Sequence, residues 1–122
     1  MEMERTIEIG GKEVRFRASG ATPRHYRNIF GGDMLVDMAR LADAINGADP
    51  NASTLPIESL EIFENVAFVM AWHAAKVHGE EFPDTPEEWL EDMEVMSIYD
   101  ILPELMDLWG KNQKTVVKSK KK

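Results

Sequence analysis

Residues 57–78 contain neither glycine nor proline, and they are bracketed by Pro56 and Gly79. Proline pre-sets the backbone of a first helical turn, and glycine accepts the left-handed turn that ends a helix. The bracket predicts one long helix. At about 100° per residue, Leu60, Phe63, Val66, Ala67, Met70, Ala74 and Val77 share one arc, the expected core stripe. Phe68 and Trp72 fall one turn apart on the opposite side, among Glu61, Asn65 and Lys76. A helix apolar on two sides must be covered on both, or must offer its second side to a partner. Either way, the rest of the chain has to wrap around it.

What precedes and follows reads as a hairpin and further helices. Thr6-Ile7-Glu8-Ile9 and Val14-Arg15-Phe16-Arg17-Ala18 alternate apolar and polar residues around Gly10-Gly11, the signature of a tight β-hairpin over about 4–18. A two-stranded ribbon is marginal alone and needs support from the helices. Thr22 is the expected N-cap of a helix running to Phe30, with Pro23 in its first turn. Asp33 caps a second, in which Met34, Leu35, Met38, Leu41, Ala42 and Ile45 recur at helical spacing up to Gly47. Residues 47–56 are the longest expected loop. Thr85-Pro86-Glu87-Glu88 reads as a capping box opening a short helix with Trp89, Leu90 and Met93. Ser97-Ile98-Tyr99-Asp100 resembles a second capping box. A last helix then carries Ile98, Ile101, Leu102, Leu105, Leu108 and Trp109 and is closed by Gly110, with Pro103 kinking it or shifting its start. The expected fold is mainly α, a compact helical domain over 1–110 with an N-terminal hairpin. Residues 111–122 form a lysine-rich tail expected to be flexible, since Val116 and Val117 are its only aliphatic pair.

Charge is distributed unevenly. Residues 41–109 hold sixteen acids and a single base, Lys76, whereas 110–122 hold six lysines and no acid. A body this acidic repels nucleic-acid phosphates, so nucleic acid is not an expected partner. No run of apolar residues is long enough to span a membrane, and the first residues lack the apolar core of a signal peptide.

Chemistry-bearing constellations are sparse. Cysteine is absent, which removes disulfides, thiolate metal sites and thiol nucleophiles together. His73 and His78 lie about 140° apart around their helix, and no Glu-x-x-His occurs. Gly10-Gly11 and Gly31-Gly32 lack the lysine and serine of a phosphate loop. The expectation is a protein without catalytic residues, metal or cofactor. The candidate protein-binding residues are Phe68, Trp72, Leu105, Leu108 and Trp109.

Several strings of residues give the chain a likeness in collinear order. They are Ile7-Glu8-Ile9-Gly10-Gly11-Lys12-Glu13-Val14-Arg15-Phe16, then Ala21-Thr22-Pro23-Arg24-His25-Tyr26-Arg27, and Phe63-Glu64-Asn65-Val66-Ala67-Phe68-Val69-Met70-Ala71. Glu87-Glu88-Trp89-Leu90, Ser97 through Leu105, Leu108-Trp109-Gly110 and the closing Ser119-Lys120-Lys121-Lys122 continue it. In these the chain resembles the tail assembly chaperones encoded by long-tailed phages and prophages of Gram-positive bacteria. The resemblance implies a non-enzymatic protein of the host cytoplasm, absent from the finished virion. Its partner would be the tape measure protein, kept soluble until tail tube subunits polymerise around it. The tail tube protein is a further candidate partner, and a second copy of the chain is another, suggested by the aromatics Phe68 and Trp72. Many such chaperones are also made in a longer, frameshifted form. The alternative is an acidic mimic of nucleic acid that inhibits a nucleic-acid enzyme, or another phage-encoded protein-interaction module. Against the mimic, the acids of 80–107 are interleaved with Trp89, Leu90 and Met93 instead of standing in duplex-like rows.

Overall fold

The computed structural model describes residues 2–47 and 56–110. The sequence expectations for the 47–56 loop and for the lysine-rich tail therefore fall largely or wholly outside the described residues. Strands β1 (Glu4–Ile9) and β2 (Lys12–Arg17) pair antiparallel, with Ile7 opposite Val14 and Arg5 opposite Phe16. Gly10 and Gly11 form the turn with φ of 54° and 87°, a backbone that side chains with a Cβ rarely adopt. The alternation places Ile7, Ile9 and Phe16 on one buried face, which β2 lays on the long helix. The other face carries the Glu4–Arg17 ion pair at 2.7 Å.

Six helices follow among the described residues: α1 (Thr22–Phe30), α2 (Met34–Gly47), α3 (Ile57–Val77), α4 (Pro86–Leu90), α5 (Ser97–Asp100) and α6 (102–110). Helix α1 ends on Gly31 in the left-handed conformation, whose N–H donates to the Arg27 carbonyl. Asp33 caps α2 by accepting from the Leu35 and Val36 amides at 3.0 and 3.3 Å. The fold is thus mainly helical with an N-terminal hairpin, and α3 is its axis. β2 covers one side of α3, and α1 and α2 cover others, so Val66 through Ala71 are buried without a break. Both apolar sides of the helix are therefore covered.

Phe68 sits at the junction. Its ring lies 6.2 Å from Phe30, 5.6 Å from Phe82 and 6.1 Å from Trp89, centroid to centroid. Trp89 in turn meets Phe16 of the hairpin at 6.3 Å. One aromatic cluster thereby joins α1, α3, α4 and β2.

Three local expectations are corrected. Thr22 is not the cap of α1: it lies inside the helix, fully buried, and its hydroxyl accepts from the Ser19 amide and bonds His73 Nδ1 at 3.0 Å. It ties α1 to α3. Ser97 does not cap α5, because Met96 occupies that position and no side chain caps it. The expected stripe of α3 is also too long, since Val77 is exposed at the last turn and Leu60 is only half-buried. Pro103 shifts the start of the last helix, separating α5 from α6 at Ile101.

Candidate docking groove

Residues 83–99 pack beside the hairpin and α3 as two short helices joined by turns. Thr85 caps α4, its hydroxyl accepting from the Glu88 amide at 3.2 Å. Five residues make a helix too short to persist alone, so its position is set by Trp89, buried in the aromatic cluster. With Trp89 turned inward, Glu87, Glu88 and Glu91 stand in solvent. Two turns follow, closed by Met93 N–H to the Leu90 carbonyl and Ser97 N–H to the Glu94 carbonyl, both at 3.0 Å. Helix α5 is then fixed by buried Ile98 and by Tyr99, whose hydroxyl donates to the Glu64 carboxylate on α3. That bond, together with burial, pushes the Tyr99 hydroxyl up to about 12.

Two depressions adjoin along this segment. The first, of about 480 Å³, lies between the hairpin turn and 83–97, with Ile9, Val14, Trp89 and Met93 as its apolar lining. Gly10 is needed there, because a Cβ would stand 3.3 Å from Ser97 Oγ. The second, of about 370 Å³, is lined by Leu90, Met93, Val95 and Ile98. Met93 and Glu94 line both. Beside them Val95 and Met96 stand 85% and 60% exposed, apolar groups left in water. Glu88, Asp92 and Glu94 rim the first depression, and Glu64, Glu87 and Glu91 add to the second. Among the described residues Lys12 is the single cationic side chain lining either.

The residues expected to bind a partner lie elsewhere. Phe68, Leu105, Leu108 and Trp109 are all buried in the core, so none presents its side chain to a partner in this fold. The physical reason is the coverage of α3 from several sides and the packing of the apolar stripe of α6 inward. Trp72 is half-buried, 5.1 Å from the His25 ring and 5.3 Å from Lys76 Nζ. It reaches a shallow depression of about 390 Å³ with Phe82 and Lys76. Leu90, Met93, Val95 and Met96 were missed as surface candidates. Their sequence signal is the interleaving of apolar residues with acids over 87–96.

The histidines stand apart from the groove. His25 and His73 meet edge to face at 4.5 Å between ring centroids. Burial, reinforced by His25, lowers His73 to about 4, so it is neutral at physiological pH. His78 meets Glu4 at 3.0 Å. Among the described residues no three histidines or carboxylates converge as metal ligands, and no helix is long and apolar enough to cross a membrane. No family model, curated protein or solved structure matches this chain significantly.

Proposed function

We propose that this chain is a tail assembly chaperone of a phage or prophage, which binds the tape measure protein and keeps it soluble in the host cytoplasm during tail morphogenesis. The observation that supports it best is the pair of adjoining depressions, apolar in floor and acidic in rim, beside exposed Val95 and Met96. Such a surface suits the apolar face of a helical client. An acidic body keeps a complex with a sticky client in solution. The collinear resemblance supplies the name of the client. The role is non-catalytic, and the protein leaves the client before the virion is finished.

Co-expression tests the reading. The chain is expressed with the long coiled-coil protein encoded beside a tail tube gene in the same genome. The client is expected in the soluble fraction, co-purifying with the chain, and in the pellet when expressed alone. Met93→Arg with Val95→Asp is expected to return it to the pellet while the chain itself stays folded by circular dichroism. A client equally insoluble with and without the chain refutes the proposal.

A further inference from the structure

We infer that the groove takes a cationic amphipathic helix, a segment whose apolar stripe is flanked by lysines or arginines. This rests on the client-binding reading and adds the chemical class of the segment bound. The rim carboxylates carry the argument. Glu64, Glu87, Glu88, Glu91, Asp92 and Glu94 line the two depressions, and none of them pairs with a Lys, Arg or His among the described residues. Glu4, Glu80 and Asp107 pair with Arg17, Arg15 and Arg5; what distinguishes the rim from other unpaired acids such as Glu8, Glu13 and Glu58 is that six carboxylates gather around apolar depressions. Six carboxylates against one cation, Lys12, around an apolar floor favour an apolar ligand with positive flanks and disfavour one with negative flanks. The backbone argues for a helix. Within the 83–97 wall four amides are used internally, Glu88 to the Thr85 hydroxyl, Trp89 to the Thr85 carbonyl, Met93 to Leu90 and Ser97 to Glu94. This wall holds no strand for an extended peptide to pair along, whereas a helix satisfies its own backbone groups. Met93, shared by both depressions, has the flexibility to fit side chains of different shape.

The test uses the full chain and three synthetic peptides of about 18 residues, five helical turns. One is an amphipathic Lys/Leu helix, one its composition-matched scramble, and one the same pattern with Glu in place of Lys. A rim variant, Glu88→Lys with Asp92→Lys and Glu94→Lys, is compared with a control, Glu8→Lys with Glu13→Lys and Glu58→Lys, which changes net charge equally at exposed acids outside the groove. Calorimetry is expected to show the Lys/Leu helix bound, weakened about tenfold or more by the rim variant and by less than about threefold by the control. Binding is expected to fall as salt rises. Equal weakening by both variants, equal binding of the scramble, or binding of the Glu peptide as tight as the Lys one overturns the inference, as does no binding. Salt-sensitive self-association of the wild type, abolished by the rim variant, would give the groove to the lysines of 111–122 from a second copy and also overturns it. A tape measure protein solubilised while the Lys/Leu helix fails sinks the inference alone. The reverse outcome sinks the chaperone reading and leaves the inference standing.

Discussion

Truncating Phe68 to alanine separates a structural aromatic from a docking one. The ring is fully buried and touches Phe30, Phe82 and Trp89, which belong to segments distant in sequence. Its loss removes the transfer free energy of the ring and leaves a cavity whose lining cannot easily collapse, because β2 and three helices meet there. Burial of this kind costs on the order of 3–5 kcal/mol on truncation. A domain of this size has roughly 5–15 kcal/mol of stability to lose. At about 4 °C per kcal/mol, the melting temperature is expected to fall by roughly 12–20 °C. Trp72→Ala is expected to cost less, about 1–2 kcal/mol, because that ring is only half-buried. Thermal melts followed by circular dichroism read both. A Phe68→Ala melt within about 3 °C of wild type would show that the cluster does not hold the fold together. A larger loss for Trp72→Ala than for Phe68→Ala would reverse the assignment of the core.

Two further outcomes follow from particular contacts. His73 is lowered to about 4 in the fold against an ordinary value near 6.5, so the unfolded chain gains its proton first as pH falls. Stability is therefore undiminished by this group above about pH 6.5 and declines between pH 6.5 and 4, by up to about 3 kcal/mol, and an NMR titration placing His73 near 6.5 would refute the cause. Gly10→Ala is expected to cost about 1–2 kcal/mol in a denaturant melt, because the residue has φ of 54° and its new Cβ would press on Ser97 Oγ. A neutral effect there would mean that the turn and the 97 region are not in contact.

Local signals carried most of the architecture. Pro56 and Gly79 bound α3 because both act through the backbone of their own turn. Gly10-Gly11 and Asp33 were legible for the same reason. Thr22 and Ser97 were misread as caps, since the Thr22 hydroxyl is claimed by His73 on another helix and Ser97 is packed beside the hairpin turn. A helical wheel shows that Phe68 faces away from the main stripe, yet not what covers it. That depends on Phe30, Phe82 and Trp89 arriving from three other segments. The groove was hidden for a related reason. Its walls, Ile9 to Val14 and Pro83 to Ser97, are far apart in sequence and meet only through the fold. What the sequence did carry was its chemistry, the acids of 87–94 alternating with Trp89, Leu90 and Met93.

The groove wall is built from elements too short to hold themselves. Helices α4 and α5 have five and four residues, well below the length at which a helix persists alone in water. They are held by one inserted indole, by Ile98 and by the Tyr99–Glu64 bond, while the stretch from Glu91 to Met96 is largely exposed. Helix α3, by contrast, is buried over most of its length. Local opening free energy follows burial, so amides of 87–97 are expected to exchange with solvent faster than those of Phe63–Ala75. An element of low intrinsic stability gains the most order when a ligand packs on it. Addition of a bound amphipathic helix is therefore expected to slow exchange at Trp89 through Ser97 while leaving α3 nearly unchanged. Hydrogen exchange read by mass spectrometry checks both halves. Protection confined to the α2 or Trp72 surfaces would place the docking face elsewhere. Exchange at 87–97 as slow as in α3 before any ligand is added would show that the wall is rigid and that its short helices are held by more than the contacts named.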